Sequence, residues 1–159
     1  LSPGVGPLST AITIDPEGQV GWIAGDSLPA HRRGGKVRFA FQSYPTLLRD
    51  GQVPEPLRRP GQGVDLAHRD ARVAIGIEPD GRILVAMTRF DGLGDQLGFV
   101  PLGLTTPEMA AVMGALGAQN AVALDGGISG QMMVRSSGDA LVWSGLRRVP
   151  LALVARPRS

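Results

Sequence analysis

Thr105-Thr106-Pro107-Glu108-Met109, running on through Val112, Met113 and Leu116 to Gly117 and then into Ala121-Val122-Ala123-Leu124-Asp125, is the stretch that decides the fold. Met109, Val112, Met113 and Leu116 fall at i, i+3, i+4 and i+7, the spacing of one helix face, and are expected to pack as core. Both ends of that helix are marked. Thr105 or Thr106 can cap it, Pro107 suits its first turn, Glu108 complements its N-terminus and Gly117 suits the left-handed residue that ends it. Ala121 to Asp125 then reads as a short buried strand, so strand, helix and strand predict a βαβ crossover.

Outward from this unit the chain is punctuated by 23 Gly and 13 Pro, which keeps elements short and favours strands. Ala11 to Asp15, Pro16-Glu17-Gly18 and Gln19 to Ala24 predict a hairpin. Arg72 to Glu78, Pro79-Asp80-Gly81 and Arg82 to Thr88 predict a second hairpin, of buried-strand composition. Val37 to Phe41 leads as a strand into Gln42-Ser43-Tyr44-Pro45, and 52–63 is a loop rich in Pro, Arg and Gly. Gln131 to Arg135, Ala140 to Trp143 and Val149 to Ala155 are expected as further strands. The expected fold class is mixed α/β (α+β): a single domain over 1–159, a strand-rich mixed sheet with hairpins, and one well-marked helix in a βαβ crossover.

The 159 residues suit one core, and 43% hydrophobic with 19% charged residues is ordinary globular composition. Arginine pairs such as Arg32-Arg33 stand isolated, the net charge is +2 and aromatics are only 4%, which argues against nucleic acid as a partner. No apolar run reaches the roughly 20 residues of a membrane span. The absence of cysteine excludes disulfides and thiolate metal sites and leaves the compartment open.

Leu124-Asp125-Gly126-Gly127-Ile128-Ser129-Gly130 places a carboxylate where a buried strand stops. Gly126 and Gly127 allow close approach and can present main-chain N–H groups to phosphate oxygens, with Ser129 donating to the same anion. The competing reading is a plain Asp-Gly-Gly hairpin turn. Arg72, at the head of a central strand, suits bidentate contact with a phosphodiester, or else an ion pair with Asp65, Asp70 or Asp125. His68 is a candidate acid or base, or else a surface histidine. Gln42 and Ser43 offer groups for sugar hydroxyls, and Asp91 follows a strand end, so a pocket of Gln42, Arg72, Asp91 and Asp125 is expected. No cofactor is required. Two distant histidines give no metal-ligand pattern, which leaves only oxygen-bound Ca²⁺ open.

Four segments in order, Phe41 through Gly51, His68 through Gly76 with Asp80-Gly81, Gly103 through Met109, and Leu116 through Ser129, resemble the phosphodiester glycosidase family. Its animal member removes N-acetylglucosamine from mannose 6-phosphate tags. The resemblance covers most of 39–134 and departs at Tyr44, Ala123 and Ile128, and the family's Asn-Gly-Gly-x-Phe-like opening segment has no counterpart. The chain is therefore expected to be the C-terminal part of a longer domain, or to meet a second polypeptide that supplies that segment. The resemblance implies hydrolysis of a glycan or small-molecule sugar phosphodiester in a bacterial exported setting, periplasmic or extracellular. Asp125 would be the leading carboxylate and Asp91 or His68 the second group. Arg72 and the Gly126-Gly127 amides would hold the phosphate. The alternative is a non-catalytic cell-envelope glycan-binding or structural domain of the same fold.

Overall fold

The computed structural model describes residues 9–88, 103–136 and 138–156. The first expected hairpin forms between β1 (Thr10–Ile14) and β2 (Val20–Ala24), closed by a bond from the Gln19 N–H to Asp15 Oδ1 at 2.7 Å. β3 (Phe39–Ser43) pairs antiparallel with the other edge of β1, giving a three-stranded sheet in the order β2-β1-β3. Between them lies α1 (Leu28–Arg33), which sequence reasoning did not anticipate. Six residues span under two turns, too short for a periodic signal, and only Leu28 is buried.

The second sheet has four strands in the order β4-β7-β5-β6: β4 (Thr46–Leu48), β5 (Val73–Ile77), β6 (Ile83–Met87) and β7 (Asn120–Leu124). β5 and β6 are the second expected hairpin. β6 and β7 are each antiparallel to β5 and so run parallel to one another on either side of it. The helix α2 (Thr106–Ala115) follows β6 and precedes β7 in the chain, so the expected crossover exists in split form, with β5 between its two strands.

Thr105 caps α2 in a reciprocal capping box with Glu108, and Gly117 takes φ 97° just past its end. Met109 and Met113 are buried against Leu47, Leu48, Ala74 and Ala121, as the helix-face pattern predicts. Leu116 departs from that pattern: the helix ends at Ala115, Leu116 is its C-cap, and the side chain is half exposed. On the opposite face of the four-stranded sheet, Ile75 and Val122 pack on Ile12 and Phe41 of the three-stranded sheet. A bond between the Thr10 and Thr46 hydroxyls, 2.6 Å long, also joins the two sheets. The four-stranded sheet is thus covered by α2 on one side and by the other sheet on the second, so its side chains alternate between two apolar layers.

The loop over 52–63 is not featureless. A 3₁₀ turn at Glu55–Leu57 buries Leu57 in the α2-side core. Toward the C-terminus, β8 (Met132–Ser136) and β9 (Asp139–Trp143) form a hairpin separate from both sheets. The strand expected over 149–155 does not form: Pro150 lacks a donor, no described strand lies alongside, and 151–156 are exposed. Among the described residues no helix is long and apolar enough to cross a membrane.

Candidate functional site

The antiparallel register of β5 and β7 places Val73 opposite Leu124. Continued by one residue, it sets Arg72 beside Asp125 at the end of the ladder. Beyond it the chain does not turn back as a hairpin, since β8 pairs with β9 and not with β7. It folds over the segment that enters β5: the Gly127 N–H donates to the Ala71 carbonyl at 2.8 Å. A Cβ on Gly126 would stand 2.4 Å from that carbonyl oxygen, and one on Gly127 would stand 2.7 Å from Asp70 Oδ2. Both glycines are required for close approach, but of the chain to its own Ala71 and Asp70; the turn is thus not a plain hairpin, and the expected approach to a ligand is a separate matter. One of their amides is already committed to Ala71, however, so the pair does not offer two free donors. A 3₁₀ turn at Gly127–Ser129 follows, with Ser129 buried, and the Leu146 and Arg147 amides close on the Ile128 carbonyl.

The segment 65–72 is tied together by its own polar groups. Asp65 Oδ1 accepts from the amides of Ala67 and His68 at 2.9 and 3.0 Å. These two amides, Ala67 first, hold the Asp65 carboxyl below its ordinary range. Asp70 bridges Leu104 through both main-chain bonds, and a Cβ on Gly103 would lie 2.1 Å from the Asp70 carbonyl oxygen. Arg69 donates to the Gly103 carbonyl and pairs with Glu108. The Thr105 amide, and then Arg69, lower the Glu108 carboxyl. The start of α2 is thereby clamped to the entrance of β5.

Arg72 is part of this clamp. Its Nε donates to the Leu104 carbonyl at 2.8 Å and its Nη2 to the His68 carbonyl at 2.6 Å. Two donors of the guanidinium expected to grip a phosphodiester therefore hold main-chain oxygens. The His68 ring lies 3.7 Å from Asp70 Oδ2, with both side chains substantially exposed.

The residues brought together are Arg72, Asp125, Gly126, Gly127 and His68, with Ser129 in the turn that follows. Ser43 reaches the same end of β7, its hydroxyl donating to the Ala123 carbonyl. Gln42 does not join them: Phe41 and Ser43 face the second sheet, whereas the Gln42 amide donates to the Gly25 carbonyl at 2.9 Å on the other face. Asp91 lies outside the described residues. The sequence offers Asp70 only as an ion-pair partner for Arg72, whereas its carboxylate lies against Gly127 and 3.7 Å from the His68 ring. The one sequence signal for it is its place three residues before a buried strand whose start lies beside the end of β7. Among the described residues no group of three or more His, Cys, Asp or Glu is arranged to hold a metal.

Among curated proteins no sequence matches the chain. The solved catalytic domain of zebrafish N-acetylglucosamine-1-phosphodiester α-N-acetylglucosaminidase, auto-inhibited by its pro-peptide, is similar with a TM-score of 0.55 at 19% identity. The match covers 81% of this chain and 43% of that one, so this chain spans under half the length of the zebrafish protein. A hypothetical protein from Synechocystis gives a TM-score of 0.41 at 21% identity, over 80% of this chain and 30% of that one. The zebrafish likeness supports the fold. The profile of the phosphodiester glycosidase family matches residues 7–156, and the chain belongs to that family.

Proposed function

We propose that residues 1–159 act as one domain that hydrolyses a sugar linked through phosphate, on a glycan or a small molecule, with Asp125 as the carboxylate acting at the anomeric carbon. One observation carries the reading: Asp125 leaves β7 beside Arg72, with Gly126-Gly127 folded onto Ala71 between Asp125 and His68. In such a hydrolysis the bond from C1 to the phosphate oxygen breaks, the oxygen of water joins C1, and the phosphate monoester departs with the bonding pair as a stable anion. The site then needs a carboxylate on the sugar side, a group that takes the proton of water, and donors toward the leaving phosphate.

Asp125 fills the first role, because a carboxylate facing the phosphate would repel it. His68 or Asp91 fills the second. Arg72, the Gly126-Gly127 turn, Ser129 and Ser43 border the third, and Gln42 is left out because its amide is turned to Gly25. A periplasmic or extracellular setting goes with this reading.

Turnover of a chromogenic sugar phosphodiester tests it. Asp125→Asn is expected to lower kcat by about 100-fold or more with the unfolding midpoint kept. Inorganic phosphate should compete with substrate, and more weakly as salt rises. Glycan binding without turnover would sink the enzyme reading and support the glycan-binding domain.

A further inference from the structure

Resting on that reading, we propose that Asp70 is a positioning residue, holding His68 so that its ring takes the proton of the attacking water. The His68 main chain is held from two sides, and its ring lies within ion-pair reach of Asp70. The His68 N–H donates to Asp65 Oδ1 at 3.0 Å, its carbonyl accepts from Arg72 Nη2 at 2.6 Å, and its Nε2 stands 3.7 Å from Asp70 Oδ2. The ring is 56% exposed and so open to a substrate.

Asp70 is itself held so that one oxygen is left for this contact. Its main chain bonds Leu104 in both directions, at 3.3 and 3.1 Å, and its Oδ1 accepts from the Ala71 amide at 2.8 Å. The remaining oxygen, Oδ2, faces His68 and the bare Cα of Gly127, where a Cβ would come within 2.7 Å. Gly127 therefore makes room for the Asp70 carboxylate. Asp125 and the His68–Asp70 pair border the same glycine turn from two sides.

The chemistry follows from which ring nitrogen faces Asp70. With the proton on Nε2 toward the carboxylate, Nδ1 carries the lone pair. Nδ1 takes one proton from water as its oxygen bonds to C1 and the C1–O bond to phosphate breaks. The resulting imidazolium lies beside the Asp70 carboxylate, an arrangement in which a carboxylate orients a histidine base without being protonated itself.

Asp70→Asn is the informative change, since an asparagine oxygen can still accept from the Ala71 amide and the main-chain bridge to Leu104 is untouched. The expected result is a fall in kcat of about 10- to 100-fold, with KM and the unfolding midpoint nearly unchanged. In a His68→Gln background the same substitution should cost less than about 3-fold, because the two groups act as one. Asp70→Glu should restore part of the loss. The chain has two histidines, so His31→Gln leaves the ring resonances of His68 alone. Nitrogen chemical shifts should then report the proton on Nε2, and Asp70→Asn should weaken that preference. Unchanged kcat in Asp70→Asn, or full multiplication of the two losses in the double variant, overturns the positioning role while leaving the hydrolase reading standing. Absence of wild-type turnover overturns both.

Discussion

Two Asp-Gly turns leave the same sheet and do different things. At Asp80-Gly81 the chain passes from β5 to β6 as a hairpin: Glu78 and Arg82 are bonded, Gly81 takes φ 88°, and a Cβ on Gly81 would meet nothing within 4 Å. At Asp125-Gly126-Gly127 the chain leaves β7 without pairing back and is driven against Ala71 and Asp70. Gly126 has a negative φ of −112°, so its lack of a side chain serves contact and not backbone conformation. One glycine is there for a dihedral angle and the other for proximity: strand register sets Asp125 beside Arg72, and the bare Cα of Gly126 lets the chain beyond Asp125 close on Ala71.

The largest expected effect is at the contact. Gly126→Ala forces a Cβ to 2.4 Å from the Ala71 carbonyl oxygen, and backbone rather than a flexible side chain must give way. A loss of about 3 kcal/mol in chemical denaturation is expected. Gly81→Ala has open space and pays only for its left-handed backbone, about 1 kcal/mol. Equal losses at the two positions would break the distinction. A smaller test concerns the clamp behind the second turn. Thr105→Ala removes half of the capping box that holds the start of α2 beside Asp70, and should cost about 1 kcal/mol. A larger fraction of turnover than of stability should be lost if that clamp also sets the position of His68.

The legible parts of the molecule are those whose signals are local. Pro16-Glu17-Gly18 and Pro79-Asp80-Gly81 announce both hairpins, and Thr105 to Glu108 with Gly117 announce both ends of α2. Arg72 and Asp125 could be placed near one another because each borders a strand of buried composition. Pairwise non-local facts were not legible. Nothing in the Gln42-Ser43 dipeptide says which of the two faces the second sheet, because a one-residue choice of register exchanges the faces. The surroundings of Asp70 are not legible locally, because they are made by Gly103 and Gly127, far away in sequence. The expected strand over 149–155 had the right composition and no partner, and a strand is defined by its partner.

The smallest effect concerns Asp80 and is read through pH. Its carboxyl is held below the ordinary range chiefly by the Arg82 amide, then by the Arg82 side chain, against the opposing effect of desolvation. A carboxyl lowered in the folded state binds fewer protons there than in the unfolded chain. Its contribution is therefore present above the ordinary carboxylate value, about pH 4, and is lost as pH falls through the lower folded value. In Asp80→Asn the side-chain oxygen can still accept from the Arg82 amide, but the charge is gone at every pH. The urea midpoint of Asp80→Asn should thus lie slightly below wild type at pH 7 and draw closer to it at acid pH, as the folded-state carboxyl is protonated. Turnover should be unaffected, since Asp80 lies beyond the far end of β5 from Arg72, about 17 Å of strand away. A midpoint difference that is the same at both pH values would show that Asp80 acts through its shape alone, and a loss of turnover would erase the contrast between the turn that closes a hairpin and the turn that borders the site.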